Sequence, residues 1–386
     1  MADHAIAGRA GQERAVSGPA VGPAFRSEVR QRILVLGAGG FIGGRIVSAL
    51  AGSNWAQPVA ATHRSPGRFG AGAETVRLDA RQADELARAL EGASAVVNGV
   101  AGDDAAIIAC AQSLFEACAR QARPPRIVNL SSMAAYGSST GTVDESAPLR
   151  GDWDDYSAAK RDVEAMARRY RDIVHLRPGI VYGPGSPIWS GRIGRWLEQG
   201  RLGDLGEAGA GFCNLVHVDD VVLAVERALR TPGIEGEAFN LSLPEPPTWN
   251  EYFRRYAAAL ETPCPRIAPW RLQLELGVIA PPLKLAEIAA GKLRLRWQPP
   301  APIRPWLLRL CRHPLKMDVR KAERVLGLQW TPLDPGLRAT AQWLRETRTG
   351  ATAAARTGAA AVTAADPVPA APSIAAWKRP EPREPR

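Results

Sequence analysis

Cysteine is scarce in this chain of 386 residues: Cys110, Cys118, Cys213, Cys264 and Cys311 are scattered, with no C-x-x-C spacing. That excludes a disulfide framework and a zinc-ligand pattern, so no metal is expected and a reducing cytoplasm is the natural compartment. Long apolar runs are also missing. No stretch of about 20 uninterrupted apolar residues exists to cross a bilayer, and residues 1–30 hold no continuous apolar segment of the signal-peptide kind. Lysine is nearly absent: of 49 Lys plus Arg, only six are Lys. The net charge of +10 therefore comes from arginines dispersed through an Ala-rich chain, which reads as coding bias rather than a polyanion footprint. No basic run is interleaved with stacking aromatics, so nucleic acid is not an expected partner.

What is present is an ordinary globular balance, 46% hydrophobic and 23% charged, enough for a sizeable core. Residues 1–30 and 346–386 are poor in large apolar side chains and read as disordered tails. Between them, short apolar runs alternate with helical spacing. Arg32–Leu36, Val59–Thr62, Thr75–Leu78, Ala95–Val97 and Arg126–Leu130 read as strands; Phe41–Leu50, Asp84–Leu90 and Ala105–Arg120 read as helices. Alternation of this kind predicts an α/β fold with a doubly wound parallel sheet. Residues 31–180 would form the nucleotide-binding domain, with further core elements from 215–245, and 181–345 would be mainly a small C-terminal substrate lobe.

Three motifs carry chemistry. Gly37-Ala38-Gly39-Gly40-Phe41-Ile42-Gly43 falls where the first strand ends and the first helix begins. Glycines there let backbone turn tightly and approach a pyrophosphate, whose charge the helix N-terminus stabilises, as in a Rossmann-type dinucleotide site. Tyr156-Ser157-Ala158-Ala159-Lys160 puts a phenol and an ammonium four residues apart on one helical face. The ammonium is expected to lower the phenol pKa toward the working range, fitting Tyr156 for acid–base work. Ser131 and Ser132 follow a central strand, where ligands of open α/β sheets bind.

In this order, Gly37–Gly43, Ser131-Ser132 with Tyr136-Gly137, and Tyr156/Lys160 resemble an extended short-chain dehydrogenase/reductase of the NAD-dependent epimerase/dehydratase family. Arg177–Pro184, Val216–Asp220 and Lys321–Gly327 agree with the same family. The resemblance implies that Tyr156 is the general acid/base, that Lys160 holds the nicotinamide ribose and tunes Tyr156, and that Ser132, four residues before Tyr136, bonds the reacting oxygen. It further implies that Gly37, Gly39, Gly40, Phe41, Ile42 and Gly43 bind cofactor. Asp79 and Ala80 would contact adenine, Asn98, Gly99, Val100 and Ala101 would line the cofactor after the fourth strand, and Pro178 and Gly179 would border the nicotinamide. His217, Asp219 and Asp220 are expected to shape the lobe junction and cap a helix.

Three departures from that family bear on cofactor and substrate. The second strand ends Ala61-Thr62-His63-Arg64 without the acid that would bond a ribose 2′-hydroxyl. Arg64, with Arg68 or His63, would instead face a 2′-phosphate, so NADP is favoured over NAD. Cys213 stands where sugar-nucleotide epimerases place a diphosphate-gripping Arg; Arg192, Arg195 and Arg201 are the candidate substitutes. Met133-Ala134 occupies the place of a dehydratase's acids, which disfavours dehydration. Residues 266–312 hold nine Lys or Arg against Glu275 and Glu287, with Trp270, Trp297 and Trp306. That composition suits a peripheral membrane contact or a lid over a lipophilic substrate.

The expected activity is hydride transfer between a nicotinamide and a secondary alcohol or ketone carbon of a sugar nucleotide or related small metabolite. A reductase or hydroxysteroid-dehydrogenase-like enzyme acting with NADPH on a lipophilic alcohol is the alternative, and a non-catalytic NAD(P)-binding sensor is the alternative of another class. A homodimer is the remaining partner expectation.

Overall fold

The structure is a computed structural model and describes residues 30–63, 69–70, 72–292 and 302–357. In chain order it begins β1 (Gln31–Leu36), α1 (Phe41–Gly52), β2 (Ala56–Thr62), β3 (Glu74–Arg77), α2 (Ala83–Ala89), β4 (Ala95–Asn98), α3 (Asp104–Ala119) and β5 (Arg126–Leu130). The apolar runs at the centre of the sheet become strands because both of their faces are covered: Ile33 to Leu36 and all of β4 are buried, whereas β3 lies at the sheet edge and is mostly exposed. α3 starts where Asp103 accepts a hydrogen bond from the Ala106 amide, satisfying one of the orphan donors of its first turn.

The chain continues through β6 (Gly141–Val143), α4 (Asp155–Ala167), β7 (Ile173–Pro178), β8 (Ile180–Tyr182), α5 (Ile193–Glu198), β9 (Leu215–His217), α6 (Val218–Arg230) and β10 (Ala238–Leu241). Seven strands form one parallel sheet in the order β10-β7-β5-β4-β1-β2-β3. The chain moves outward from β1 through β2 to β3, then returns to the other side of β1 with β4. That reversal opens a crevice beyond the carboxyl ends of β1 and β4, the place where such sheets bind ligands. The doubly wound α/β architecture is the one the sequence predicts.

The remaining elements are α7 (Trp249–Ala259), α8 (Pro269–Leu274), α9 (Ala280–Lys292), α10 (Pro305–Cys311), β11 (Leu315–Met317), α11 (Arg320–Leu326) and α12 (Leu333–Thr357). A core of Trp249, Tyr252, Phe253 and Tyr256 with Leu197, Leu308 and Leu337 gathers α5, α7, α10 and α12, separate from the clusters on the two faces of the sheet. α12 corrects the expected boundary at 346. Its helix continues to Thr357, fastened by an Arg348–Glu198 ion pair at 2.5 Å and by Arg345 bonding the Ala259 carbonyl. Composition hid this because the anchoring groups are charges rather than large apolar side chains. The proposed tails 1–29 and 358–386 lie outside the described residues.

Candidate active site

The glycine turn joins β1 to α1 and touches the end of β4. Gly37 has φ 76°, and a Cβ on it would stand 2.5 Å from the Gly99 carbonyl oxygen. A Cβ on Gly43 would stand 2.2 Å from the Gly37 oxygen. These two glycines are therefore dictated by backbone packing. Gly39 is different: nothing lies within 4 Å of the place its Cβ would take, and the residue is exposed. Gly40 is the N-cap of α1 and supplies no capping side chain. Open space in front of uncapped helix N–H groups is what a pyrophosphate needs. Phe41 and Ile42 are half-buried in the first turn, so the residues present fit a dinucleotide.

The second wall follows β4 and β5. Asn98 is buried and donates to Asn129 Oδ1 at 2.9 Å, and Asn129 Nδ2 lies 3.1 Å from His175 Nδ1, a polar chain across β4, β5 and β7. Gly99 bonds Leu36 across the switch point, while Val100 and Ala101 lead away from it, half-buried and exposed. Asp79 and Ala80 stand at the end of β3. The Asp79 carboxylate is already held by Arg81, whose hydrogen bonds lower its pKa to about 2.

α4 begins at a capping box in which Asp154 accepts from the Ser157 amide and Ser157 Oγ accepts from the Asp154 amide. That cap sets the register of the face bearing Tyr156 and Lys160. Ser132 follows β5 as the cap of a short 3₁₀ turn, Met133–Tyr136, its Oγ accepting from the Ala134 amide at 3.1 Å, and its side chain is near enough to the Tyr156 phenol to act on the phenol's pKa. The structure thus brings Ser132, Tyr156 and Lys160 together. Ser131 turns away, donating to Glu164 at 2.5 Å inside the protein.

One expectation about this trio needs correction. The Lys160 ammonium does not reach the phenol oxygen: its Nζ donates to the Leu130 carbonyl at 2.9 Å and lies 5.7 Å from the Tyr156 ring centroid. Burial pushes the Tyr156 pKa up, against the opposing influence of Ser132, so the phenol stays protonated at neutral pH. Burial also lowers Lys160 to about 8, opposed by the charge of Glu164. The physical reason is competition: an ammonium removed from water takes the nearest strong acceptor, here a strand-end carbonyl.

Beneath the trio lies a network the sequence did not announce. Glu164 and Arg177, each 6% exposed, pair at 2.7 Å; Arg177 also donates to the Tyr136 hydroxyl at 2.9 Å, and Tyr136 to Asn240 at 2.7 Å. Burial alone would raise the Glu164 pKa, but the Arg177 hydrogen bonds leave it below its usual value. Helical spacing was the available signal, since Glu164 follows Lys160 by one turn; its partner on β7 was not predictable without the sheet.

Pro178 is buried at the end of β7, and a Cβ on Gly179 would meet the Asn214 carbonyl oxygen at 2.1 Å. Gly179 is therefore required by the close approach of the segments that lead into the paired strands β8 and β9. His217 is the N-cap of α6, accepting from the Asp219 amide, while Asp220 bonds Thr331 and Asp219 pairs with Arg45 on α1. The three residues join elements, as expected. Cys213 is fully buried in the C-terminal core beside Cys311, so its side chain does not face the crevice. Arg201 is engaged by Glu275. Arg64 and Arg68 lie outside the described residues. A cation the sequence reading missed is Arg77, opposite Thr62 in the β2–β3 register, with its Nε donating to the His63 carbonyl at 3.3 Å.

The family model described as "NAD dependent epimerase/dehydratase family" matches residues 33–242, which span the glycine turn, the trio and β10. The chain belongs to this family. A curated relative, the 2'-dehydrokanamycin reductase of Streptomyces kanamyceticus, is 30% identical over 247 residues, covering 60% of this chain and 67% of the relative. Among solved structures, MoeE5 in complex with UDP-glucose and NAD superposes with a TM-score of 0.62 at 22% identity, covering 82% of this chain and 99% of that one. The human epimerase family protein SDR39U1 with NADPH gives 0.59 at 23% identity, covering 81% and 99%. At these identities the structures establish the fold. As a member of the epimerase/dehydratase family the protein is an NAD(P)-dependent enzyme. Among the described residues, no helix is long and apolar enough to cross a membrane.

Proposed function

We propose that this family member is an NADP(H)-dependent oxidoreductase that reduces a ketone, or oxidises the matching secondary alcohol, on a sugar-like small metabolite. The observation that carries the reading is the grouping of Ser132 and the Tyr156 phenol with buried Lys160, with the phenol held in its protonated form. Bound NADPH supplies the hydride. Ser132 holds the substrate oxygen, and the Tyr156 hydroxyl gives that oxygen its proton as negative charge develops on it. Lys160 would hold the cofactor ribose, and its charge would stabilise the phenolate left behind.

Several features support a single reduction rather than epimerisation of a nucleotide-linked sugar. Cys213 points into the core, Arg201 is neutralised by Glu275, and the 30% identical relative is named as a reductase. NADP is supported by the end of β2, where Thr62 and His63 offer no acid, and by Arg77 beside them. Gly37, Gly39, Gly40, Phe41, Ile42, Gly43, Asp79, Ala80 and Asn98–Ala101 are the proposed cofactor contacts, with Pro178 and Gly179 at the nicotinamide.

The test is NADPH oxidation with a panel of keto-sugars, run with wild type and Tyr156→Phe. Turnover by wild type that vanishes in Tyr156→Phe, with NADPH affinity kept within a few-fold, is the expected result. Tightly held NAD that copurifies, together with a melting shift on adding UDP, would overturn it in favour of a sugar-nucleotide epimerase.

A further inference from the structure

Two side chains one turn apart on α4 end on consecutive residues where β5 leaves the sheet. Lys160 Nζ donates to the Leu130 carbonyl at 2.9 Å, and Glu164 Oε1 accepts from the Ser131 hydroxyl at 2.5 Å. Ser131 is tied in turn to β7, its amide donating to the Leu176 carbonyl at 2.8 Å. The next residue of β7, Arg177, closes on the same carboxylate, with Nε on Oε1 at 3.0 Å and Nη2 on Oε2 at 2.7 Å. Its Nη1 donates to the Tyr136 hydroxyl and to the Glu145 carbonyl. Glu164 therefore joins the helix of Tyr156 and Lys160, the residue before Ser132 and the residue before Pro178. Lys160, Glu164 and Arg177 are all buried, so water and salt screen their charges weakly.

A buried ion pair is by itself a weak source of stability, since apolar side chains of like volume often do as well. The place of this one gives it a further use. We infer that Glu164 is a positioning residue for the reaction, keeping Lys160 charged and fixed beside Ser132 and Tyr156. The inference rests on Lys160 holding the cofactor ribose, as proposed above. The other titratable groups packed around Lys160 do not supply that charge. On α4 the Tyr156 phenol is protonated at neutral pH; on β7 burial lowers the His175 pKa and Arg177 is engaged by Glu164; on α3 Asp104 acts on Tyr156. Glu164 carries the charge that opposes burial at Lys160, whose pKa stands at about 8. Without it the ammonium loses the attraction of a unit charge about 6 Å away, the spacing of side chains one turn apart. At an effective dielectric of about 20 that attraction is worth about two pH units.

The experiment is calorimetric titration of the full chain with NADP across the pH range, for wild type, Glu164→Gln and Lys160→Met. Gln keeps the volume and an acceptor for Ser131 while removing the charge. Glu164→Gln should bind within a few-fold of wild type at about pH 5.5 and about tenfold more weakly at about pH 7, where its lysine has lost the proton that wild type retains. A loss of packing alone would lower affinity equally at every pH. Should Glu164→Gln fail to fold with Arg177 unpaired, the double variant Glu164→Gln/Arg177→Met strands no charge and is read in the same way. A ratio of wild-type to variant affinity that does not change with pH overturns the inference. Equal NADP affinity in wild type and Lys160→Met overturns instead the assignment of Lys160 to the ribose, and the inference falls with it.

Discussion

Lys160 Nζ donates to the Leu130 carbonyl oxygen at 2.9 Å, fastening α4 to the end of β5. Its neighbour one turn on, Glu164, carries the charge that partly offsets burial. The ammonium is thus held at a strand end, buried from water.

Stability should record that burial. Burial lowers the Lys160 pKa from 10.5 to about 8, so the unfolded chain binds more protons between those values. Stability therefore rises as pH climbs from about 8 to 10.5, and below 8 the full cost of burying the ammonium is present. Lys160→Met removes that cost, at most about 3 kcal/mol at 1.36 kcal/mol per unit, less the lost Leu130 hydrogen bond. The variant should gain in melting temperature relative to wild type at pH 7, with the difference shrinking toward pH 10. Melting curves across that range check it; a difference independent of pH refutes it. NADPH affinity should fall in the same variant.

The glycines of the turn should separate into two groups. Gly37→Ala, at φ 76° and 2.5 Å from Gly99 O, should lower stability by several kcal/mol or prevent folding. Gly39→Ala meets nothing within 4 Å and should leave the melting temperature of the cofactor-free protein unchanged. Its methyl group would stand where a pyrophosphate approaches, so NADPH affinity should drop. Thermal melts with and without NADPH distinguish the two effects.

Removing one partner of the Glu164–Arg177 pair strands a buried charge. Glu164→Ala should destabilise by about 3–5 kcal/mol, measured by urea unfolding. Ser131 and Tyr136 lose partners as well, directly and through Arg177. A change below about 1 kcal/mol would mean that water replaces the carboxylate.

Cofactor choice is open to titration. NADPH should bind more tightly than NADH, with Arg77→Ala and Arg64→Ala each weakening the preference. A charge-assisted hydrogen bond to a 2′-phosphate is worth about 1.5–3 kcal/mol, about 10- to 100-fold in the affinity ratio. An unchanged ratio in the double variant would place the 2′-phosphate elsewhere or remove the preference.

The sequence by itself determined the doubly wound sheet and the places along the chain where chemistry sits. Apolar runs buried on both faces, a glycine turn and a Tyr/Lys pair at helical spacing are local patterns, and local backbone physics makes them legible. Hence β5 occupies its expected span of 126–130, and Ser132, Tyr156 and Lys160 meet. Only the tertiary structure decided where each polar group finds its partner. Lys160 chose Leu130 O over the phenol, Ser131 chose Glu164, Cys213 turned to the core, and Arg77 came beside His63 across a strand pair. α12 passed the composition boundary because Glu198 and Ala259, distant in sequence, hold it. A charge or donor removed from water bonds whatever acceptor folding brings nearest, and that nearness arises from contacts between residues far apart in the chain.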